Sequence, residues 1–465
     1  MDAAENGDTS RLSELLNAGV SVDVENRSGE TALHLASLGG HIEVVRLLLD
    51  KKAFVDATDG YHATPLHVAA LHGRDEVVHI LLDANASQNV KDCSYGDRYD
   101  KTPLHHAAAC GHIETVRLLV AAKADLDSKD DEDKTALFLA AEGDHSAIVQ
   151  LLVEARATLD VRDRSHAGHE DQTPLHCAAE RGNTAVVEIL VNAKAALDIK
   201  ERNGKTALHL AGGQGYPEVV QILIDAEAEV NARDRHQWTP LHRAAYSGDA
   251  ASVRVLTEAK ADIEAKDCDF RGLEDKTALH HAALRGHGAV VEVLLEVGAL
   301  VDAESRGGHT ALHFAAECGD RTTVQLLIDA KADVDAKNRS GETPLLIAAT
   351  HAQSTSAHIL THAKCAVDVR DARGRTPLHF AAERGDVRFM QVLLEAHGSV
   401  NITDNERWTP LHRAAFGGHA AAVQLLLSAK ADLYQEVDSE TVLHYAAKRG
   451  NTDVVRVLMN TILFH

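Results

Sequence analysis

Residues 173–182 read Thr173-Pro174-Leu175-His176-Cys177-Ala178-Ala179-Glu180-Arg181-Gly182, and the opening of this phrase, Thr-x-Leu-His or a near copy, occurs thirteen times along the chain. It begins at Thr31, Thr64, Thr102, Thr135, Thr173, Thr206 and Thr239, and again at Thr277, Thr310, Thr343, Thr376, Thr409 and Thr441. Eight of the twelve steps are 33 residues long, three are 38 and the last is 32. A fixed period of this length marks one supersecondary unit stacked on copies of itself.

The residues within the period define that unit. Threonine suits an N-cap, and proline at the first helical position gives up an N–H that has no helical partner. Leucine and the alanine pair make a narrow apolar stripe on a short first helix. A second helix carries larger apolar residues in adjacent pairs, as in Val44, Val45, Leu48 and Leu49, or Val454, Val455 and Leu458. The segment that follows, such as Ala196-Leu197-Asp198-Ile199-Lys200, has too few apolar residues for a helix and reads as a tight turn. Two short helices cannot bury their apolar face alone, so neighbouring units must cover it.

The combined pattern, TPLHxAAxxGH followed by VVxLLLxxxADV, resembles the ankyrin repeat over essentially the whole chain. The resemblance implies an all-α fold, an ankyrin-repeat solenoid of stacked helix-turn-helix units with projecting β-hairpin loops. Residues 1–465 are expected to form one continuous array. It comprises a partial repeat over 1–29, twelve full repeats over 30–440 and an incomplete repeat over 441–465. The apolar close at Ile462-Leu463-Phe464 is a poor cap, which points to a longer parent protein or to a last layer covered by a partner.

Bulk properties narrow the function. With 47 basic and 70 acidic residues the net charge is −23, which disfavours nucleic acid and anionic lipid by repulsion. No run of about 18 apolar residues is present, so direct membrane insertion is not expected. The start is acidic and has no signal-peptide core. Six scattered cysteines without a C-x-x-C pair read as free thiols of a reducing compartment, the cytoplasm. Of 30 histidines, 11 belong to the repeated phrase and others follow the mid-repeat glycine, as at His41, His112, His287 and His419. Subtracting the repeat leaves no catalytic constellation, no cofactor-binding loop and no metal site. The pair His166 and His169 with Glu170 is too sparse for one.

Departures from the repeat are informative. Five additional residues precede each of Thr102, Thr173 and Thr277, and two of these insertions share a Cys-x-aromatic design, Cys93-Ser94-Tyr95 and Cys268-Asp269-Phe270. Such insertions map to loops on one face, often the binding face, although long surface loops also drift at little cost. Where the family places glycine after the second helix, lysine stands at Lys52, Lys123, Lys194, Lys260, Lys331, Lys364 and Lys430. Phe138 and Leu346 replace the phrase histidine, and Thr350-His351-Ala352-Gln353 lacks the mid-repeat glycine, which makes it a candidate flexible point.

The resemblance places partner contacts on the concave face, formed by hairpin tips, the residue before the threonine and the residues after the alanine pair. Two layers stand out there. Trp238, Arg243 and Tyr246 occupy the same slots as Trp408, Arg413 and Phe416, five repeats later, and these are the only tryptophans. Exposed Trp, Tyr and Arg carry interface energy disproportionately. Packing of each tryptophan on its own hairpin, or duplication of a five-repeat block, would produce the same match. The expected protein-binding set adds hairpin-tip residues Arg235, His236 and Asn405, and Tyr95, Tyr99 and Phe270 of the insertions. The function implied is a non-enzymatic scaffold, a monomer that binds one or more proteins. The alternative is a targeting segment of a longer enzyme or channel.

Overall fold

In the computed structural model, which describes residues 1–93, 100–164, 171–268 and 274–464, the phrase threonines take an extended conformation one residue ahead of a helix. The first helix runs seven or eight residues, as in Pro174–Arg181, and ends where Gly182 turns left-handed at φ 75°. A second helix of nine residues follows, here Thr184–Asn192. Ala178 and Ala179 on the first helix and Val186, Val187 and Leu190 on the second are fully buried. The burial comes from neighbours. Pro174–Arg181 packs on Ala136–Glu142 and Ala207–Gln214, and Thr184–Asn192 packs on Ser146–Glu154 and Pro217–Asp225.

The chain divides into two compact units, Met1–Arg235 and His236–His465. The first contains the layers that begin at Thr31 through Thr206, preceded by the helices Asp2–Glu5 and Thr9–Asn17. The second contains the layers from Thr239 through Thr441 and closes with Thr452–Phe464. Within each unit, first helices pack on first helices and second on second, which is the stacked all-α arrangement expected from the repeat.

The phrase histidine is a double latch. His34 Nδ1 accepts the Thr31 backbone N–H at 3.1 Å, and the threonine hydroxyl lies 2.9 Å from the same nitrogen. This is a capping box in which histidine takes the place of the usual acid or amide. Because Nδ1 accepts a backbone N–H, the proton sits on Nε2, which donates to Ala63 O of the next layer at 2.9 Å. The same forward bond joins His105 to Lys134 O, His313 to Glu342 O and His379 to Trp408 O at 3.0–3.1 Å. At the one step shortened to 32 residues, buried His412 Nε2 makes no bond of this geometry among the described residues. Phe138 and Leu346 keep the cap, since Thr135 and Thr343 accept their N–H groups, but they have no forward bond.

A second latch runs backward. His41, His112, His145, His287 and His419 donate Nε2–H to Glu5 O, Leu71 O, Ala109 O, Tyr246 O and Glu383 O of the preceding layer at 2.8–3.1 Å. The mid-repeat glycine is required beneath them. A Cβ at Gly73 would lie 2.6 Å from His112, and one at Gly385 2.5 Å from His419. Where the glycine is missing, Ala352 itself turns left-handed at φ 58° and Gln353 supplies the backward bond to Glu317 O at 3.0 Å. The Asp-rich hinges form a third tie. Asp56, Asp127 and Asp302 each accept a backbone N–H 31 residues on, from Ser87, Thr158 and Asp333.

The projecting loops are closed mainly by one residue rather than by a ladder. The Asp59 N–H donates to Ala63 O, and Asp59 Oδ1 accepts the N–H groups of Tyr61 and Ala63. Among the described residues only Glu436–Val437 and Glu440–Thr441 form a named strand pair, antiparallel and two residues long. The insertions leave the clasp intact. Asp92, Asp163 and Asp267 donate to Lys101 O, Gln172 O and Lys276 O at 3.0 Å, spanning nine residues instead of four.

The seven lysines after the second helices all adopt left-handed φ, from 62° to 70°. A non-glycine residue there costs about 1 kcal/mol, part of which the helix dipole and the freer unfolded glycine return. Lys→Gly at Lys52, Lys194 and Lys331 together is expected to raise the melting temperature. An unchanged or lower value would show that the turn is not strained.

Burial pushes the phrase histidines His67, His105, His176, His280 and His313 down to about 4. The unfolded chain therefore binds more protons than the folded chain between about pH 6.5 and 4. The histidine contribution to stability is complete above pH 6.5 and falls as pH drops through that window. Urea midpoints measured from pH 8 to 4.5 should decline below about pH 6.5, and a constant midpoint would refute the assignment of neutral, buried latches.

Candidate functional site

The two tryptophan slots, both in the second unit, build the same cluster. Trp238 precedes Thr239, the N-cap of the helix Pro240–Ser247, which carries Arg243 and Tyr246 along one side. Its ring lies 5.3 Å from Tyr246, edge-on, and 4.3 Å from His281 of the next layer, measured between centroids. The Arg243 guanidinium sits 4.5 Å from the Trp238 ring, and Arg285 of the next layer sits 4.8 Å from Tyr246. In the second slot Trp408 is 5.3 Å from Phe416 and 4.8 Å from Tyr445 of the next layer. Arg413 lies 4.8 Å from Trp408, and Arg449 lies 4.2 Å from Phe416. Cation–π contacts of this kind contribute about 0.5–2 kcal/mol depending on desolvation.

Both tryptophans are half-buried within these stacks, while Tyr246 and Phe416 remain 39% and 38% exposed. The tryptophans act as platforms and the residues eight positions later offer ring surface to solvent. Arg413 is further held by Asp404 and by Glu406 at 3.1 Å. The hairpin residues bond to neighbouring loops, mostly through their backbones. In the first unit the exposed Arg235 donates its N–H to Asn203 O at 2.9 Å. In the second, half-buried His236 accepts from Cys268 N–H, and exposed Asn405 donates to Arg373 O and Ala372 O. Tyr95, Tyr99 and Phe270, with His166, His169 and Glu170, lie outside the described residues.

Residues outside the expected set complete the clusters: His281, Arg285, Tyr445 and Arg449. Each is contributed by the following layer, one or five residues after the phrase histidine, so a search within one repeat does not connect them to the tryptophan. The clasp aspartate provides another position. Asp267 Oδ2 pairs with His281 Nε2 at 2.8 Å, and in the first unit Asp92 Oδ2 pairs with His106 at 2.7 Å. Burial alone would raise both carboxyls, but the histidine bonds outweigh it and hold them below the usual range. Asp404 meets Arg413 instead of a histidine. At Asp130 the corresponding residue is Leu139, and no side chain among the described residues donates to the carboxylate. Burial pushes that carboxyl up to about 6.

In the first unit, a cavity of about 530 Å³ is lined by Lys134, Phe138, Glu142, Cys177 and Arg181 among others. Its charges pair with one another. Lys134 meets Glu132 at 2.9 Å and Glu142 at 3.2 Å, and Arg181 meets Glu142 at 2.7 Å. Burial pushes the Cys177 thiol up to about 12, away from a nucleophilic thiolate. Among the described residues no group of three or more His, Cys, Asp or Glu side chains could hold a metal ion. No helix there is long and apolar enough to cross a membrane.

The family described as "Ankyrin repeats (3 copies)" matches residues 1–92, 92–163, 162–234, 228–307, 266–338, 301–371 and 345–437, and "Ankyrin repeat" matches 438–461. Among solved structures, the human ASB11 ankyrin repeat domain is similar at 29% identity with a TM-score of 0.42. The match covers 49% of this chain and 97% of that one. No curated protein matches.

The clasp series generates a direct test. Asp130→Asn keeps the oxygen that accepts the N–H groups of Glu132 and Lys134 and removes a buried charge. With the carboxyl raised, wild type loses stability as pH climbs through about 6, so the variant should be more stable at pH 7.5 by about 1–2 kcal/mol. The gain should vanish near pH 4. Equal urea midpoints at both pH values would show that the carboxylate is adequately solvated.

Proposed function

Because this chain belongs to the ankyrin repeat family, whose repeats are generally protein-protein interaction modules, we propose that it is a non-catalytic scaffold that binds a protein partner. The contact surface is the first-helix and hairpin face of the second unit, anchored at Trp238, Arg243 and Tyr246 and at Trp408, Arg413 and Phe416. The observation that carries this reading is the recurrence, five layers apart, of one aromatic and guanidinium cluster with a solvent-facing ring. Large rings held rigidly by their neighbours lose little entropy when a partner covers them. Many of the histidines are committed to latches between layers. Six free cysteines support a reducing, cytoplasmic location.

Affinity capture from the native extract tests the surface. Wild type is compared with Trp238→Ala/Trp408→Ala and with Tyr246→Ser/Phe416→Ser, the second pair chosen because those rings are exposed and contribute less to packing. Proteins retained by wild type are expected to be lost from both variants while helical content stays unchanged. Recovery of the same proteins by both variants would assign the clusters to folding alone.

A further inference from the structure

Eight residues past the phrase threonine, the second unit places three arginines, Arg285, Arg384 and Arg449, each the last residue of a first helix. No acid occupies that register anywhere in residues 236–465. None of the three makes an ion pair among the described residues, whereas Arg181, at the same register in the first unit, meets Glu142 at 2.7 Å. Arg384 has a structural task, because it donates to Ala349 O and Thr350 O at the end of the helix Pro344–Thr350. Arg285 and Arg449 are exposed and lie against Tyr246 and Phe416. Residues 1–235 hold 23 basic and 40 acidic residues, and residues 236–465 hold 24 and 30, so these guanidiniums stand on the less acidic half of an acidic chain.

Building on the protein-binding reading, we infer that Arg285 on Tyr246 and Arg449 on Phe416 are two anchors for an extended acidic segment of the partner. A guanidinium seated over a ring, exposed and without an ion-pair partner among the described residues, keeps N–H groups that can hold a carboxylate through two parallel bonds. The anchors are five layers apart. At about 8–10 Å per layer that interval is about 40–50 Å, which an extended strand rising about 3.3 Å per residue crosses in about 12–15 residues. Sparse carboxylates on a protein suit two separated anchors. A dense polyanion would meet the acidic remainder of the chain on either side.

The test is affinity selection from a display library of random peptides of about sixteen residues, long enough to cover both anchors. Wild type, Arg285→Gln/Arg449→Gln and Arg285→Lys/Arg449→Lys are compared as full chains. Arg384 is left unchanged because of its capping bonds, and melting curves establish that the variants fold. Wild type should enrich peptides with an excess of Asp and Glu. The glutamine pair should lose that excess and bind the recovered peptides at least about tenfold more weakly, with the lysine pair intermediate because it keeps charge without the fork.

Enrichment without an acidic excess, or equal affinity for the glutamine pair, would overturn the inference and leave the protein-binding reading standing. Absence of any enrichment would count against both. A single-stranded oligonucleotide of the same length and phosphatidylserine vesicles are run in parallel. Arginine-dependent binding of either, without acidic peptides, would also overturn the inference.

Discussion

The stacks depend on a neutral histidine that bonds in two directions at once. Nδ1 closes the first turn of its own helix, and Nε2–H holds the backbone of the next layer, so local capping and interlayer attachment share one ring. A net gain of about 0.5–1.5 kcal/mol per bond is modest, but a buried ring that lost either partner would incur a desolvation cost as well. The phrase is therefore intolerant of partial change. Where the histidine is absent, an apolar residue fills the site: Phe138 and Leu346 are fully buried, and neither leaves a polar atom stranded. Among the described residues the exceptions to the bond pair are His412, at the shortened step, and His444 of the last layer, which makes the cap without a forward bond.

The backward histidines, the hinge aspartates and the clasp residues distribute the remaining polar contacts so that each layer is tied to both neighbours by backbone carbonyls and N–H groups. These partners are main-chain atoms, present whatever the sequence. That explains how apolar and surface positions vary between layers while Thr, His, Gly and Asp recur. It also explains much of the acidity. Many of the aspartates accept backbone N–H groups of nearby or next-layer residues, a task that Glu201 and Glu264 share.

The fold was legible because its determinants are local and periodic: cap, proline, alanine pair and glycine all act within ten residues of one another. The lysine turns were legible for the same reason, since a left-handed residue after a nine-residue helix is a matter of position. The site was legible only in half. Trp238 and Trp408 stood out by rarity and equal spacing, yet their packing partners His281 and Tyr445 come from the following layer. A ring expected at the surface proved to be a half-buried platform because the next layer leans on it. Asp130 shows the converse. It makes the same clasp as Asp92 and Asp404, but the helix position that supplies His106 or Arg413 to them is Leu139 here, so no side chain among the described residues donates to its carboxylate.

This division between platform and exposed ring bears on what a partner can gain. A fully exposed tryptophan would offer more area but would have to be immobilised on binding, at about 0.5–1.5 kcal/mol for a side chain ordered at the interface. Trp238 and Trp408 are already fixed by arginine on one hand and by the next layer on the other, and they fix Tyr246 and Phe416 in turn. The rigidity of the surface thus derives from the same interlayer packing that stabilises the stack. On the proposed binding surface, recognition and stability would be coupled through these shared side chains.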